Sequence, residues 1–314
     1  SFISAANESG VLRATARRRT PQDIQLYPMS GFFLCALAAS LFGISPIFSR
    51  RMSLSGMDGA SIVCLIHAFT ALINAILWFF TPKVKEIQLT RKQVLQLLCV
   101  GALGMGSTTF LLAVSYNYIP TGTATVLHFL YPCVVTVVTA ICTHRRVRRN
   151  GILSMVLSVL GMVFLAGGFS QGVWIGVLLA LASACTYTLY LSANQWASYA
   201  ALPGPIKMTL LATGSSILFF CKSMLSGRVI LPPEPIAWAS LWAMACCACV
   251  AHSCLTAGVR RIGAEQAAFT TLIEPLVSLL AGAVIYQEVL TAYSLAGAGL
   301  VLLAVFLHTC DNYP

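Results

Sequence analysis

Apolar residues run through the chain in about ten blocks of roughly 18 to 24 positions, separated by short polar breaks. As a helix, each block is long enough to cross the roughly 30 Å hydrocarbon core of a bilayer. The predicted spans are 30–49, 58–80, 94–116, 120–142, 150–168, 172–193, 205–226, 236–258, 264–286 and 290–309. The stretch from Gly151 to Asn194 would make a single helix of about 65 Å if it did not turn. The break GGFSQG at 167–172 supplies that turn.

Composition strengthens this reading. The 314 residues are 58% hydrophobic and 9% charged, against roughly 25% charged in an ordinary soluble domain. The chain therefore reads as an all-α polytopic membrane protein of ten transmembrane helices. Residues 1–29 form a polar N-terminal segment, predicted to be cytoplasmic, with the basic run VLRATARRRT and no apolar core of a cleavable signal. The start at Ser1 is consistent with a trimmed chain or fragment.

The net charge of +10 points to orientation rather than to nucleic acid, because the basic residues sit in the breaks and form no aromatic-interleaved patch. With both termini inside, 15 of the 19 Lys and Arg fall on the cytoplasmic side, leaving Arg50, Arg51, Lys222 and Arg228 outside. That is the positive-inside asymmetry. Arg50 and Arg51 are the awkward pair, and a place at the outer mouth would accommodate them.

A shift of 143 positions lays 118–145, YIPTGTATVLHFLYPCVVTVVTAICTHR, on 261–288, RIGAEQAAFTTLIEPLVSLLAGAVIYQE, without a gap, so that Pro132 falls on Pro275. Identity is sparse; the register of the spans carries the match. Five spans per half is an odd number, so homologous halves must be inverted relative to each other. Matched loops then carry opposite basic content. HRRVRRN after span four has four Arg and YQEVLTAY after span nine has none, whereas VRRIG before span nine is basic and YNYIPTG before span four is neutral. The predicted organisation is two inverted five-helix repeats, 30–168 and 172–309.

These repeats, together with the P-x(12)-E spacing from Pro275 to Glu288 and a glycine-rich tenth span, resemble the EamA type of the drug/metabolite transporter superfamily over about residues 30–309. The resemblance implies a secondary-active carrier. Such a protein exports or exchanges small metabolites by alternating access, through a cavity lined mainly by spans three, four, eight and nine with contributions from one and six. In the first half Arg145 stands where the family usually repeats the acidic loop residue.

Glu274 is the candidate with the sharpest physical motive, since a charged residue facing lipid at mid-span costs at least about 2.5–3.5 kcal/mol. It either faces a cavity as a substrate-binding or proton-carrying group, or bonds backbone freed by Pro275. Its repeat partner is Tyr131, with His128 one turn earlier on span four. Tyr187, Tyr190 and Asn194 mark span six, and Pro46, Pro132 and Pro275 mark helix bends, with Ser45 beside the first. His67 and Asn74 share a face of span two and read as packing groups. Gly101, Gly104, Gly106, Gly297 and Gly299 read as close-packing seams, and Glu288 as an outer-end capping or solvated residue.

The 12 cysteines are scattered, and ACCACVAHSC, with Cys246, Cys247, Cys249, His252 and Cys254, reads as small-residue packing in preference to a metal site. No cofactor is implied. No HExxH, GxSxG or paired intramembrane aspartate supports the alternative of an intramembrane enzyme acting on lipid or peptide; a membrane receptor or scaffold is the third class. The spans hold no cluster of basic residues, which favours amino acids or other neutral, cationic or amphipathic metabolites over phosphorylated ones. The expected setting is the plasma (inner) membrane, with the substrate and possible proton coupling as the partners.

Overall fold

The computed structural model describes residues 21–115, 118–119, 124, 127–144, 146–165, 174–285 and 290–311. Its helices are all-α and follow the predicted order. Span one is Pro21–Leu54, span two Gly59–Phe80, span three Arg91–Ser115, span five Arg149–Leu165, span six Trp174–Trp196, span seven Gly204–Leu225 and span ten Ala292–Asp311. Span eight begins at Pro235 and span nine ends at Ile285. Among the described residues six helices are long and apolar enough to cross a membrane, and four more are apolar but shorter. This is a multi-pass integral membrane protein. Arg145, Glu288, the GGFSQG break and residues 1–20 lie outside the described residues, as do the side chains of Pro46 and Arg50.

Local sequence fixes the helix starts. Asp58 caps span two by accepting from the Ser61 backbone N–H at 2.6 Å. Span three opens on a capping box, with Thr90 and Gln93 satisfying each other's backbone donors. Its middle departs from α geometry: Gly101–Gly106 form a π-helical turn, and Ser107 reaches back to the Ala102 carbonyl at 2.9 Å. A Cβ at Gly101 would run into the Leu211 carbonyl of span seven, and one at Gly214 into the Leu98 carbonyl of span three. The two backbones touch there. Without a hydrophobic drive between helices in lipid, such contact is how they gain packing energy.

The helix contacts have the symmetry of two inverted repeats. Span one packs on span eight as span six packs on span three; span two packs on its own counterpart, span seven, and span five on span ten. Partners of span two move backwards along the chain as it advances: Ser61 meets Ile230, Cys64 meets Ser216, and His67 meets Ser215. Span two is thus antiparallel to span seven. Likewise Gly161 faces Val301 while Phe164 stacks near Tyr293. Counterparts that run antiparallel are what inversion requires.

Large apolar side chains such as Phe79, Phe80, Trp174 and Leu225 stay exposed on the outside, where hydrocarbon is their solvent. The interior instead collects polar and aromatic residues: Tyr131, Tyr190, Asn74, Asn194, His67, His128 and His252 are all buried. A membrane protein places its polar groups inward because only there can they find partners.

Candidate functional site

Spans four and nine are interrupted at matching places. Span four turns at Phe129 and Leu130 and resumes as helix at Tyr131–Thr143. In the second repeat, helix Pro235–Thr270 kinks at Gly263, whose φ of 84° only glycine adopts without strain; a second interruption follows at Thr271 and Leu272 before helix Ile273–Ile285. Proline explains both later breaks. Its ring clashes with the carbonyl four residues back, which belongs to His128 for Pro132 and to Thr271 for Pro275. By contrast the helix of span one runs on through position 46, where Ser45 donates to the Leu41 carbonyl at 2.9 Å.

The Thr271 carbonyl does not stay free: the Glu274 backbone N–H donates to it at 2.9 Å. The Glu274 side chain makes no hydrogen bond or ion pair among the described residues, and it is half-buried rather than sealed. Tyr131 and Tyr187 both lie within electrostatic reach of it. Span one closes in from the other side. Gly43 faces the Glu274 carbonyl so closely that a Cβ there would lie 2.7 Å from it, and Ser278 donates to the Gly43 carbonyl at 2.8 Å.

Tyr131 is fully buried, and its hydroxyl meets Thr271 Oγ1 at 2.6 Å. Thr271 Oγ1 also lies 2.9 Å from the Ala268 carbonyl of its own helix, so the bond to Tyr131 ties the two repeats together with either hydroxyl as donor. His128 Nδ1 meets Ser183 Oγ of span six at 2.9 Å, and Ser183 in turn donates to Ala180 at 2.6 Å. His128 is thus held through Nδ1, and its Nε2 has no partner among the described residues.

Aromatic rings carry the site from span four through span six to span eight. The Tyr131 and Tyr187 rings are 4.6 Å apart edge to face, His128 lies 5.4 Å and 5.7 Å from them, and Tyr187 stacks on Tyr190 at 5.8 Å. Tyr190 shares a 3.0 Å hydrogen bond with His252 Nδ1, and Phe42 of span one stands edge-on to that ring at 4.9 Å. Five of the six predicted site side chains thus form one neighbourhood. Asn194 is apart, donating to the carbonyl of Tyr190 in its own helix at 2.9 Å.

His252, Thr271 and Ser183 belong to the same neighbourhood and are not singled out by the sequence for it. In ACCACVAHSC the histidine turns to Tyr190, while Cys249 turns to Asn74 at 3.1 Å and Cys246 is exposed. Among the described residues no three His, Cys, Asp or Glu side chains converge as metal ligands would.

The profile of the EamA-like transporter family matches residues 29–167 and again residues 174–310. The chain belongs to that family. It is also similar to an uncharacterized transporter of Archaeoglobus fulgidus, at 21% identity over 293 residues, covering 89% of this chain and 98% of that protein. A crystal structure superposes with a TM-score of 0.76 at 15% sequence identity, over 90% of this chain and 97% of the other, and shares the fold. The two family matches fall on the two five-span halves, and the interrupted helices of this EamA-family protein occupy equivalent places in each.

Proposed function

We propose that this protein is a secondary-active carrier that exports or exchanges small amine-bearing metabolites, amino acids or amphipathic cations by alternating access between its inverted repeats. Glu274 is the group that receives the substrate's positive charge. One observation carries this reading: Glu274 is a half-buried carboxylate without a partner among the described residues, at a helix break and within electrostatic reach of Tyr131 and Tyr187. The backbone does not need its side chain, because its own N–H already takes the carbonyl freed by Pro275.

An ammonium group offers such a carboxylate its missing partner, and tyrosine faces add cation–π attraction. Phosphorylated solutes would want Arg or Lys instead, and among the described residues the contacts of Tyr131, Tyr187, Tyr190, His128, His252 and Glu274 include none. A carboxylate that is vacant between substrates also suits the role of proton carrier, so that proton and substrate take turns at one site. The loop charges favour a plasma (inner) membrane orientation with both termini cytoplasmic.

The test is counterflow in proteoliposomes, with radiolabelled amino acids, polyamines and amphipathic cations as the trial solutes. The wild type should exchange at least one amine, and Glu274→Gln should lose it with the protein still folded and inserted. Full exchange by Glu274→Gln would remove Glu274 from the site.

A further inference from the structure

The 143-residue shift maps His128 onto Thr271 and Tyr131 onto Glu274. The hydrogen bond from Tyr131 to Thr271 therefore links the later position of one repeat to the earlier position of the other. A pseudo-twofold axis gives every such link a mate, and the mate here is Glu274 with His128. That pair is open in this structure. The Glu274 carboxylate and His128 Nε2 both lack partners among the described residues, although His128 is held in place from its other nitrogen by Ser183.

In a carrier built of inverted repeats, the two access states arise when the repeats exchange conformations. Resting on the carrier reading above, we propose that His128 Nε2 is the partner of Glu274 in the opposite access state, where the Tyr131–Thr271 bond is open. The two cross-repeat bonds are alternatives, one for each state. One proton lying between the Glu274 carboxyl and His128 Nε2 completes the mate. His128 thus becomes a positioning residue for the carboxylate during the half-cycle in which no substrate occupies it.

The asymmetry makes the test one of sign. Thr271→Val and Tyr131→Phe each remove the bond of the present state and should shift the population toward the other. His128→Leu removes the donor and acceptor set of the other state and should shift it the opposite way. For a single bond each shift is roughly two- to tenfold in the ratio of states. Hydrogen exchange by mass spectrometry in nanodiscs reads it at the symmetry-related helix ends, Thr139–Thr143 and Gly282–Ile285. Protection at these two ends should move in opposite directions between the Thr271→Val and His128→Leu proteins, and the double variant should return toward wild type.

A bifunctional thiol reagent spanning roughly 10 Å gives a second measurement in a background without other cysteines; tyrosine's reach sets the backbones too far apart for a direct disulfide, which needs Cα atoms within about 7 Å. The pairs Tyr131→Cys/Thr271→Cys and His128→Cys/Glu274→Cys should both cross-link and should trap opposite exchange patterns. Shifts of the same sign, no response to His128→Leu, or identical patterns in the two cross-linked proteins would overturn the proposal. Neither readout needs a known solute. Opposite shifts without any solute exchange would sink the carrier reading and leave the alternation of bonds, whereas solute exchange with same-sign shifts would do the reverse.

Discussion

Spans four and nine have one backbone and two chemistries. Each is interrupted before a proline and resumes as a 13-residue helix, because Pro132 and Pro275 obstruct the same carbonyl position. At that place, however, the first repeat puts a phenol, buried and bonded across to the other repeat, and the second puts a carboxylate with no partner among the described residues. Symmetry therefore governs where the backbone opens, while the side chains at the opening differ in chemistry between the halves. A break lined twice by tyrosine would bring no carboxylate to this place.

The broadest consequence is topological, and its effect should be close to all-or-none. Arg146, beyond the end of span four, and Thr291, beyond the end of span nine, are both exposed and occupy corresponding loops of the two repeats. In right-side-out vesicles and a background lacking reactive thiols, an impermeant thiol reagent should label a cysteine at Thr291 and spare one at Arg146. Equal labelling would contradict the inversion, and reversed labelling would turn the protein over in the membrane.

Next in size is the contrast between the two matched side chains. Glu274→Gln removes a charge that a substrate ammonium would meet, and should lower amine exchange by about ten- to a hundredfold, since hydrogen bonds to charged groups contribute about 1.5–3 kcal/mol. Tyr131→Phe removes one neutral hydroxyl and leaves Thr271 with its own helix carbonyl to bond. Exchange should fall severalfold at most. Initial rates measured side by side decide this, and the comparison fails if Tyr131→Phe is the more damaging change.

A second pair of symmetry-related places shows the same lesson in packing. Spans three and seven touch backbone to backbone at Gly101 and Gly214, whereas the corresponding contact of spans eight and two is filled by rings, with Phe69 edge-on to Trp242 at 4.5 Å and Trp238 at 6.3 Å. One seam works by absence of side chain and the other by its bulk. Gly101→Ala and Gly214→Ala should each destabilise the folded protein by about 1–3 kcal/mol, the usual cost of overpacking. Gly299→Ala, in a helix where a Cβ would meet nothing within 4 Å, should be neutral. Thermal or denaturant unfolding in detergent separates these outcomes, and equal behaviour of Gly101 and Gly299 would remove the close-contact account of the first seam.

Most of this fold is legible in the sequence because bilayer thickness and helix rise fix how long an apolar block must be. The repeat is legible too, since inversion forces the loop charges of HRRVRRN and YQEVLTAY apart. Helix ends are read less well: span one extends to Pro21 and Leu54 because helical hydrogen bonds continue into polar sequence beyond the apolar block. The π turn at Gly101–Gly106 has no sequence signal of its own; three glycines permit it, and contact with span seven calls it up. In the site, Glu274 and Tyr131 stand out because charge and proline are rare in a span. His252 does not, because among ACCACVAHSC nothing indicates that one side chain turns to Tyr190 while its neighbours turn elsewhere.

The smallest expected effect concerns the far end of the ring series, where spans six and eight meet. Tyr190 is fully buried and its hydroxyl is shared only with His252 Nδ1 among the hydrogen bonds described. Tyr190→Phe keeps the ring, and with it the stacking on Tyr187, but leaves His252 Nδ1 without that partner. A neutral bond of this kind contributes about 1 kcal/mol. Because no charge is lost near Glu274, the change should act on how snugly a solute fits and hardly on whether an amine is captured. The expected result is an exchange rate within severalfold of wild type, with relative preference among solutes of different side-chain size altered more than the rate for any one of them. His252→Phe should have a larger effect, since it leaves a buried tyrosine hydroxyl unsatisfied and a ring of different shape against Phe42. If both variants instead behave like Glu274→Gln, the spans-six-and-eight end is as much a part of the charge-binding centre as the break in span nine. The division of labour between the two repeats would then have to be drawn elsewhere.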